Sequence, residues 1–239
     1  MPDTTLFKKG LSDWNIELND RQIEQFLMYY EMLIEKNKVM NLTAITEYEE
    51  VIHKHFIDSL ALSLTSVFEG KGKLIDVGTG AGFPGIPLKI AFPELQVVLL
   101  DSLNKRVNFL NEVMDALGLT GIEAVHGRAE DAGRNEAYRE KFDFCVSRAV
   151  ANLSTLSEYG MPFVKKGGYF IPYKSGKVEE EVMEARNAVK LLSGKIEATV
   201  SFVLPNTDME RTLILIQKTA PIHKKYPRKA GTPQKEPLK

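Results

Sequence analysis

The sequence predicts an α/β fold: a mostly parallel seven-stranded sheet with helices on both faces and an N-terminal helical extension. Three observations predict it. From residue 72 onward, short apolar runs alternate with helix-length amphipathic segments. A glycine-rich loop directly follows the first of those runs. The last two runs, about 196–204 and 211–218, have no helix between them and are expected to pair antiparallel.

Residues 1–70 read as a helical cap. Ile23, Phe26, Leu27, Tyr30, Leu33 and Ile34 keep the spacing of one buried helix face, with Asn19 as N-cap. Thr46 and Glu49 form a possible capping box for a second helix through His53–Leu60. Asn41-Leu42-Thr43 reads as the loop between them. Residues 71–220 form the α/β core. Its strands are expected at Lys73–Val77, Gln96–Leu100, Ile122–His126, Phe142–Ser147 and Tyr169–Tyr173, the fifth after a turn at Lys165–Gly168. Helices are expected at about 84–91, through Val107, Leu110, Val113, Met114 and Leu117, and at about 177–191.

Residues 221–239 carry Lys224, Lys225, Arg228, Lys229, Lys235 and Lys239 against Glu236, which leaves the rest of the chain at −6 for a net charge of −1. Four prolines in this tail argue against a helix and for an extended or disordered segment. It reads as a solubilising tail or as a phosphate-seeking arm whose binding would weaken with salt.

Composition excludes several classes. With 44% hydrophobic and 26% charged residues, the chain is an ordinary globular sequence that can bury a core. Cys145 is the single cysteine, so no intrachain disulfide and no thiolate-rich metal site can form; no metal is expected. A cytoplasmic location is expected from that lone thiol and from the polar first ten residues. No run is apolar enough for a membrane span.

The strongest local signal is Ile75-Asp76-Val77-Gly78-Thr79-Gly80-Ala81-Gly82-Phe83. Glycines let the backbone turn tightly and let a ligand approach at the carboxyl end of a strand. Both dinucleotide enzymes and methyl-donor enzymes use such loops. Here Gly82 follows Gly80 by two residues, where the dinucleotide fingerprint spaces them by three, and Asp76 precedes Gly78 by two. That arrangement suits a cationic sulfonium with its amino acid better than a pyrophosphate, so S-adenosylmethionine is the expected cofactor. Asp101 ends the second strand, where a carboxylate can accept from both ribose hydroxyls; alone it would read equally as a helix cap. Gly127-Arg128-Ala129-Glu130-Asp131 follows the third strand and is expected to frame an adenine edge, or else to cap a helix. Val146-Ser147-Arg148-Ala149-Val150 follows the fourth, which places Arg148 to meet a substrate anion or base unless it forms a surface ion pair. With the closing hairpin, the pattern resembles the plan of Rossmann-like class I methyltransferases.

What is missing narrows the reaction. After the fourth strand there is no Asn/Asp-Pro-Pro-aromatic motif of the kind used on exocyclic amines. Cys145 lies in an apolar strand and reads as core, so it is no nucleophile for carbon methylation. No general base stands out. Guanine N7 needs none, because its lone pair is free at neutral pH.

The chain closely resembles the bacterial glucose-inhibited division protein B family of small-subunit ribosomal RNA guanine-N7 methyltransferases. The resemblance rests on Asn41-Leu42-Thr43, His55-Phe56-Ile57-Asp58-Ser59, the loop from Asp76 to Phe83 continued as Pro84-Gly85-Ile86-Pro87, Leu100-Asp101-Ser102, Lys105-Arg106, Ser147-Arg148-Ala149 and Tyr226-Pro227-Arg228. It implies methyl transfer to a guanine in the 530 loop of 16S ribosomal RNA, position 527. It implies 16S ribosomal RNA or the small ribosomal subunit as partner, no membrane partner, and a chain expected to act as a monomer. By the resemblance, cofactor contacts would fall on Gly78, Phe83, Ala129, Glu130 and Arg148; Asp76, Gly80, Gly82, Asp101 and Ser102 of the loop and strand end complete the expected cofactor set. Arg148, Arg128, Asn41, His55 and Arg211 match positions tied to activity or RNA contact. Read without the family, His55 is first a packed histidine, and Lys105 and Arg106 are first a solvated helix face. Two other readings stay open: a small-molecule methyltransferase, and an NAD-type oxidoreductase using Tyr173 and Lys177.

Overall fold

The computed structural model describes residues 3–148 and 151–239; Ala149 and Val150 of the loop after the fourth strand lie outside them. Seven strands form one sheet in the order β3-β2-β1-β4-β5-β7-β6. They are β1 (Gly72–Val77), β2 (Leu95–Asp101), β3 (Ile122–His126), β4 (Phe142–Ser147), β5 (Val164–Ser175), β6 (Gly194–Val203) and β7 (Glu210–Lys218). The first five pair in parallel, and β7 runs antiparallel between β5 and β6, as the missing crossover helix requires. β5 differs from the sequence reading. Lys165–Gly168 is not a turn before it but its first part, with a register irregularity against β4 between Phe142 and Phe144. β5 runs from Val164 to Tyr169 where β4 runs from Phe142 to Phe144, and the extra residues are absorbed by bending the strand, not by ending it.

Helices cover both faces because the central strands are apolar on both. Leu74, Leu99, Val146, Ile171 and Leu213 point to one core, with α1 (Thr5–Asp13), α2 (Asp20–Met40), α4 (Gly85–Ala91) and α5 (Asn104–Ala116). Their neighbours Ile75, Leu100, Cys145, Phe170 and Ile214 point to the other, with α7 (Leu153–Gly160) and α8 (Glu179–Leu191). Cys145 is fully buried there, as its apolar strand implies. The N-terminal helices share the first core: Phe7, Phe26 and Phe56 pack edge-on or tilted with ring centroids 5.0–6.2 Å apart. Such pairs add about 0.5–1.5 kcal/mol each beyond their burial.

Asn19 does cap α2, in a reciprocal box with Gln22. The second expected box does not form. Glu47, not Thr46, precedes α3 (Tyr48–Val51), with no side-chain cap bond. The chain then widens into a π-helical stretch, Ile52–Ile57, and tightens into a 3-10 turn, Leu60–Leu64. π-turns inside helices are rare and concentrate at functional sites; this one carries His55.

The C-terminal tail overturns its expectation. It contains a helical turn, α9 (Thr232–Lys235), with Pro233 near its start, where the missing amide hydrogen costs nothing. Ile222, Tyr226, Pro227 and Pro233 are buried against the core.

Candidate functional site

Two clefts open at the carboxyl ends of the strands. The first holds about 340 Å³ and is bounded by Val77 and Gly78 after β1, Leu100 and Ser102 around the end of β2, Gly127–Glu130 after β3, and Ser147 at the end of β4. Leu156 and Tyr159 of α7 and Gly231 and Gln234 of the tail close its outer side. The second, about 540 Å³, is bounded by His55, Asp58, Arg148, Asn152, Lys174 and Arg211 among others. Ser147 faces one cleft and Arg148 the other, so the end of β4 divides them.

The glycine loop is held from below. Gly78 N–H and Thr79 N–H donate to Leu100 O at 2.8 and 3.2 Å. Asp76 does not line the cleft. It is fully buried, and its Oδ2 accepts from Thr79 Oγ1 at 2.7 Å and from Gly85 N–H at 2.9 Å. Burial pushes its pKa up to about 7, against the pull of those two bonds. Asp76 therefore shapes the loop. Gly82 sits at φ +109°, and a Cβ there would lie 2.6 Å from both Tyr29 OH and Ile86 Cδ1. Gly80 sits at φ +64° with nothing within 4 Å of where a Cβ would be. The loop is thus packed tight at Gly82 and open at Gly80.

The first cleft fits S-adenosylmethionine. The cleft volume is that of a small-molecule site. Asp101 stands at its β2 end, with Oδ2 accepting from Gly80 N–H and Oδ1 from Leu103 N–H, each at 2.9 Å. Oδ1 keeps a second acceptor position for a ribose hydroxyl, while Oδ2 also pairs with Arg106 Nη1 at 3.5 Å. Ser102 and Ala129 border the same space, and Arg128 lies exposed at its rim. Glu130, expected to frame adenine, is 6% exposed and accepts from Gly231 N–H of the tail at 2.8 Å.

Phe83 and Arg148 do not line the first cleft. The Phe83 ring stacks on His55, with centroids 4.6 Å apart and planes 15° apart, and the Arg148 guanidinium lies 5.1 Å from its centroid. Arg148 Nη1 donates to Lys54 O at 3.1 Å and Asp58 Oδ2 at 3.0 Å, and Nη2 donates to His55 Nδ1 at 3.3 Å. Asp58 is buried and the Arg148 side chain is only 19% exposed, so this is not a surface ion pair. With Nδ1 accepting, the network assigns the His55 proton to Nε2, which donates to Thr43 Oγ1 at 2.8 Å. Burial, reinforced by Arg148, lowers the His55 pKa from 6.5 to about 3, so the ring is neutral. Arg211 Nε stands 3.4 Å from Asp58 Oδ1. Burial raises the Asp58 pKa while the two arginines pull it back.

Asn41 is exposed and takes a left-handed backbone (φ 49°) that ends α2. The neighbouring Asn37 grips Thr43 through both its amide atoms at 2.8 and 2.9 Å. The structure therefore joins His55, Arg148 and Arg211, and leaves Arg128 at the other cleft. Sequence reasoning missed Asp58 as the hub, Tyr29, whose hydroxyl donates to Ala81 O in the glycine loop, and Gly231 and Gln234. An acid embedded in the apolar run Phe56–Leu62 was the available signal for Asp58. Tyr173 donates its hydroxyl to Ser59 O inside the core while Lys177 is exposed, so the pair proposed for an oxidoreductase does not form.

A sheet with one reversed strand, a glycine loop packed tight at Gly82 and open at Gly80, and an acid at the end of β2 define a class I S-adenosylmethionine-dependent methyltransferase. Solved structures share the fold: Methanococcus jannaschii TYW2 in complex with AdoMet (TM-score 0.56, 11% identity, 74% of this chain and 80% of that one) and the M. jannaschii fibrillarin pre-rRNA processing protein (TM-score 0.51, 16%, 65% and 70%). Residues 22–213 match the GidB family model, described as rRNA small subunit methyltransferase G. A protein of Lachnoclostridium phytofermentans named ribosomal RNA small subunit methyltransferase G is 59% identical over 100% of this chain and 98% of its own length. One of Alkaliphilus metalliredigens with the same name is 49% identical over the full length of both. The chain belongs to this GidB family of rRNA small subunit methyltransferases.

Proposed function

We propose that the protein methylates N7 of a guanine in the 530 loop of 16S ribosomal RNA, position 527, using S-adenosylmethionine. The observation that carries this reading is the division of the two clefts by adjacent residues, Ser147 on the donor side and Arg148 on the acceptor side. When bound, the donor supplies an electrophilic methyl group on a sulfonium. The loop Gly78–Gly82, Asp101, Ser102 and Ala129 hold it.

The acceptor cleft presents cations and ties up its bases. Both His55 nitrogens are engaged, Asp58 is held by Arg148 and Arg211, and Glu181 accepts from Lys174 Nζ at 2.6 Å and Leu153 N–H at 2.7 Å. A nucleophile that must first lose a proton is poorly served there; guanine N7 has a lone pair already free. The chain's contribution is then alignment and placement of charge. Arg148, Arg211 and Lys174 line a mouth suited to phosphate or guanine O6.

The test is transfer of label from S-adenosylmethionine to ribosomal RNA of a strain lacking the gene, followed by mapping. Label on a single guanine that becomes sensitive to borohydride–aniline cleavage is the expected result. Donor binding without label on naked RNA or small subunits would move the substrate elsewhere.

A further inference from the structure

The C-terminal tail is built into the donor cleft, and the reaction as described gives it no task. Its anchors are specific. Arg228 makes a forked pair with Glu158 of α7, which is 0% exposed: Nε lies 2.9 Å from Oε1 and Nη2 lies 2.7 Å from Oε2, while Arg228 N–H donates to Oε1 at 2.7 Å. Thr155 Oγ1 donates to Pro233 O at 3.0 Å. Arg134 donates to Pro227 O at 2.6 and 3.0 Å, and Arg139 to Tyr226 O at 2.9 Å. A forked ion pair on a fully buried carboxylate is not the conformation of a loose arm, because an unpaired Glu158 would be costly. Arg228 is therefore engaged with the protein, whereas a phosphate-seeking tail would need it free.

These anchors hold the Gly231–Gln234 turn against the loop after β3. Gly231 N–H occupies Glu130 Oε1, and Gly231 and the exposed Gln234 line the donor cleft opposite Ser102, Arg128 and Ala129. We infer that residues 226–235 form a fixed wall of the donor cleft and that Gln234 is a donor-positioning residue at the adenosine end, a role resting on the donor reading above. Its amide can both donate and accept there, while Glu130 Oε1 already accepts from Gly231 N–H.

The test uses the full chain, with S-adenosylmethionine and S-adenosylhomocysteine as probes in titration calorimetry. Gln234→Ala is expected to weaken both roughly three- to tenfold, the loss of one neutral hydrogen bond. Melting temperature and kcat at saturating donor should not move, while KM for the donor rises. Arg228→Ala is expected to weaken binding further and to expose the tail to trypsin after Lys229 and Lys235. In that variant, saturating donor should slow those same cuts. Native affinity in Gln234→Ala, or tail proteolysis indifferent to donor, would overturn the inference. If Arg228→Ala does not fold, the exposed Gln234 position decides alone. A native chain that binds no donor would overturn the reading of the cleft and this inference with it.

Discussion

The two clefts are made of different material. The cleft proposed for the donor is shaped by loops: Gly78, Gly127 and Gly231 line it with Ser102, Arg128 and Glu130, and Gly80 is bonded to Asp101 in the same loop and strand end. The acceptor cleft is side chains: Arg148 from the end of β4 and Arg211 from the start of β7 gather on one buried acid, Asp58, and His55 from a π-helical turn joins them through Arg148. A backbone site tolerates changes of side chain and fails when space is filled. A side-chain site fails when one partner of a buried network is removed. Phe83 joins the two, since it leaves the glycine loop and stacks on His55.

The largest expected effect follows from the hub. Asp58→Ala leaves two guanidinium groups without their acid in a mostly buried setting, which costs about 3–5 kcal/mol by the usual penalty for breaking a buried pair. Asp58→Asn keeps an acceptor and should fold. It should bind donor at native affinity and lose methyl transfer by about tenfold or more, the loss of a charge-assisted contact. Donor titration and rRNA methylation separate the two clefts directly. Equal loss of both in Asp58→Asn would show that they act as one site. The same network bears on Arg148. Its removal strands Asp58, so Arg148→Lys, which keeps a charge, is the cleaner probe of its part in transfer.

Next come the glycines. Gly82→Ala places a Cβ 2.6 Å from Tyr29 OH and Ile86 Cδ1 at a φ of +109°, and should cost about 2–4 kcal/mol in a urea melt. Gly80→Ala meets no protein atom within 4 Å and pays only for φ +64°, about 1–2 kcal/mol. It should nevertheless weaken donor binding, because the methyl group enters the cleft. If Gly80→Ala binds donor normally, the open side of the loop is not where the donor lies.

The same contrast explains what was legible in the sequence. The donor cleft could be read because its signals are local: a strand, three spaced glycines, and acids at strand ends. Asp101 and Ser102 stand where the pattern put them, and Asp76 was found but misassigned, since spacing does not reveal that its carboxylate turns inward to Thr79 and Gly85. The acceptor cleft could not be assembled from local pattern. Asp58 and Arg148 are 90 residues apart, and only the resemblance brought His55, Arg148 and Arg211 together in advance. The tail misled for a physical reason. Proline and lysine content predicts poor self-packing but says nothing about the buried Glu158, or about Arg134 and Arg139, which bind the tail from elsewhere in the chain.

A third prediction concerns pH. His55 is neutral in the fold, with a pKa near 3 against an ordinary 6.5, so between those values the unfolded chain binds the extra proton. Stability from this group is full above pH 6.5 and is lost as pH falls toward 3. Asp76 acts in the opposite sense: its pKa near 7 against 3.8 makes the fold hold a proton that the unfolded chain has released, so stability falls as pH rises from 3.8 to 7. Thermal melts of the native chain, His55→Gln and Asp76→Asn across pH 4–8 separate the two slopes. His55→Gln should remove the loss on the acid side, and Asp76→Asn the loss toward neutrality. Unchanged profiles in both would mean that neither group is buried as described.

The smallest effect is expected at the surface, where it sharpens the meaning of the largest. Lys36 of α2 reaches Glu112 of α5 at 2.6 Å, a shorter ion pair than that between Arg148 and Asp58 at 3.0 Å. Distance alone would rank it first. But Glu112 is half exposed, and water and salt screen the pair, so Lys36→Met should change stability by less than about 1 kcal/mol and leave methylation untouched. Burial of the acid, 4% exposed for Asp58, is what turns a contact into a constraint. A loss at Lys36 matching that of Asp58→Ala would reverse this ranking and make the clasp between α2 and α5, not the buried hub, the feature that holds the N-terminal helices to the core.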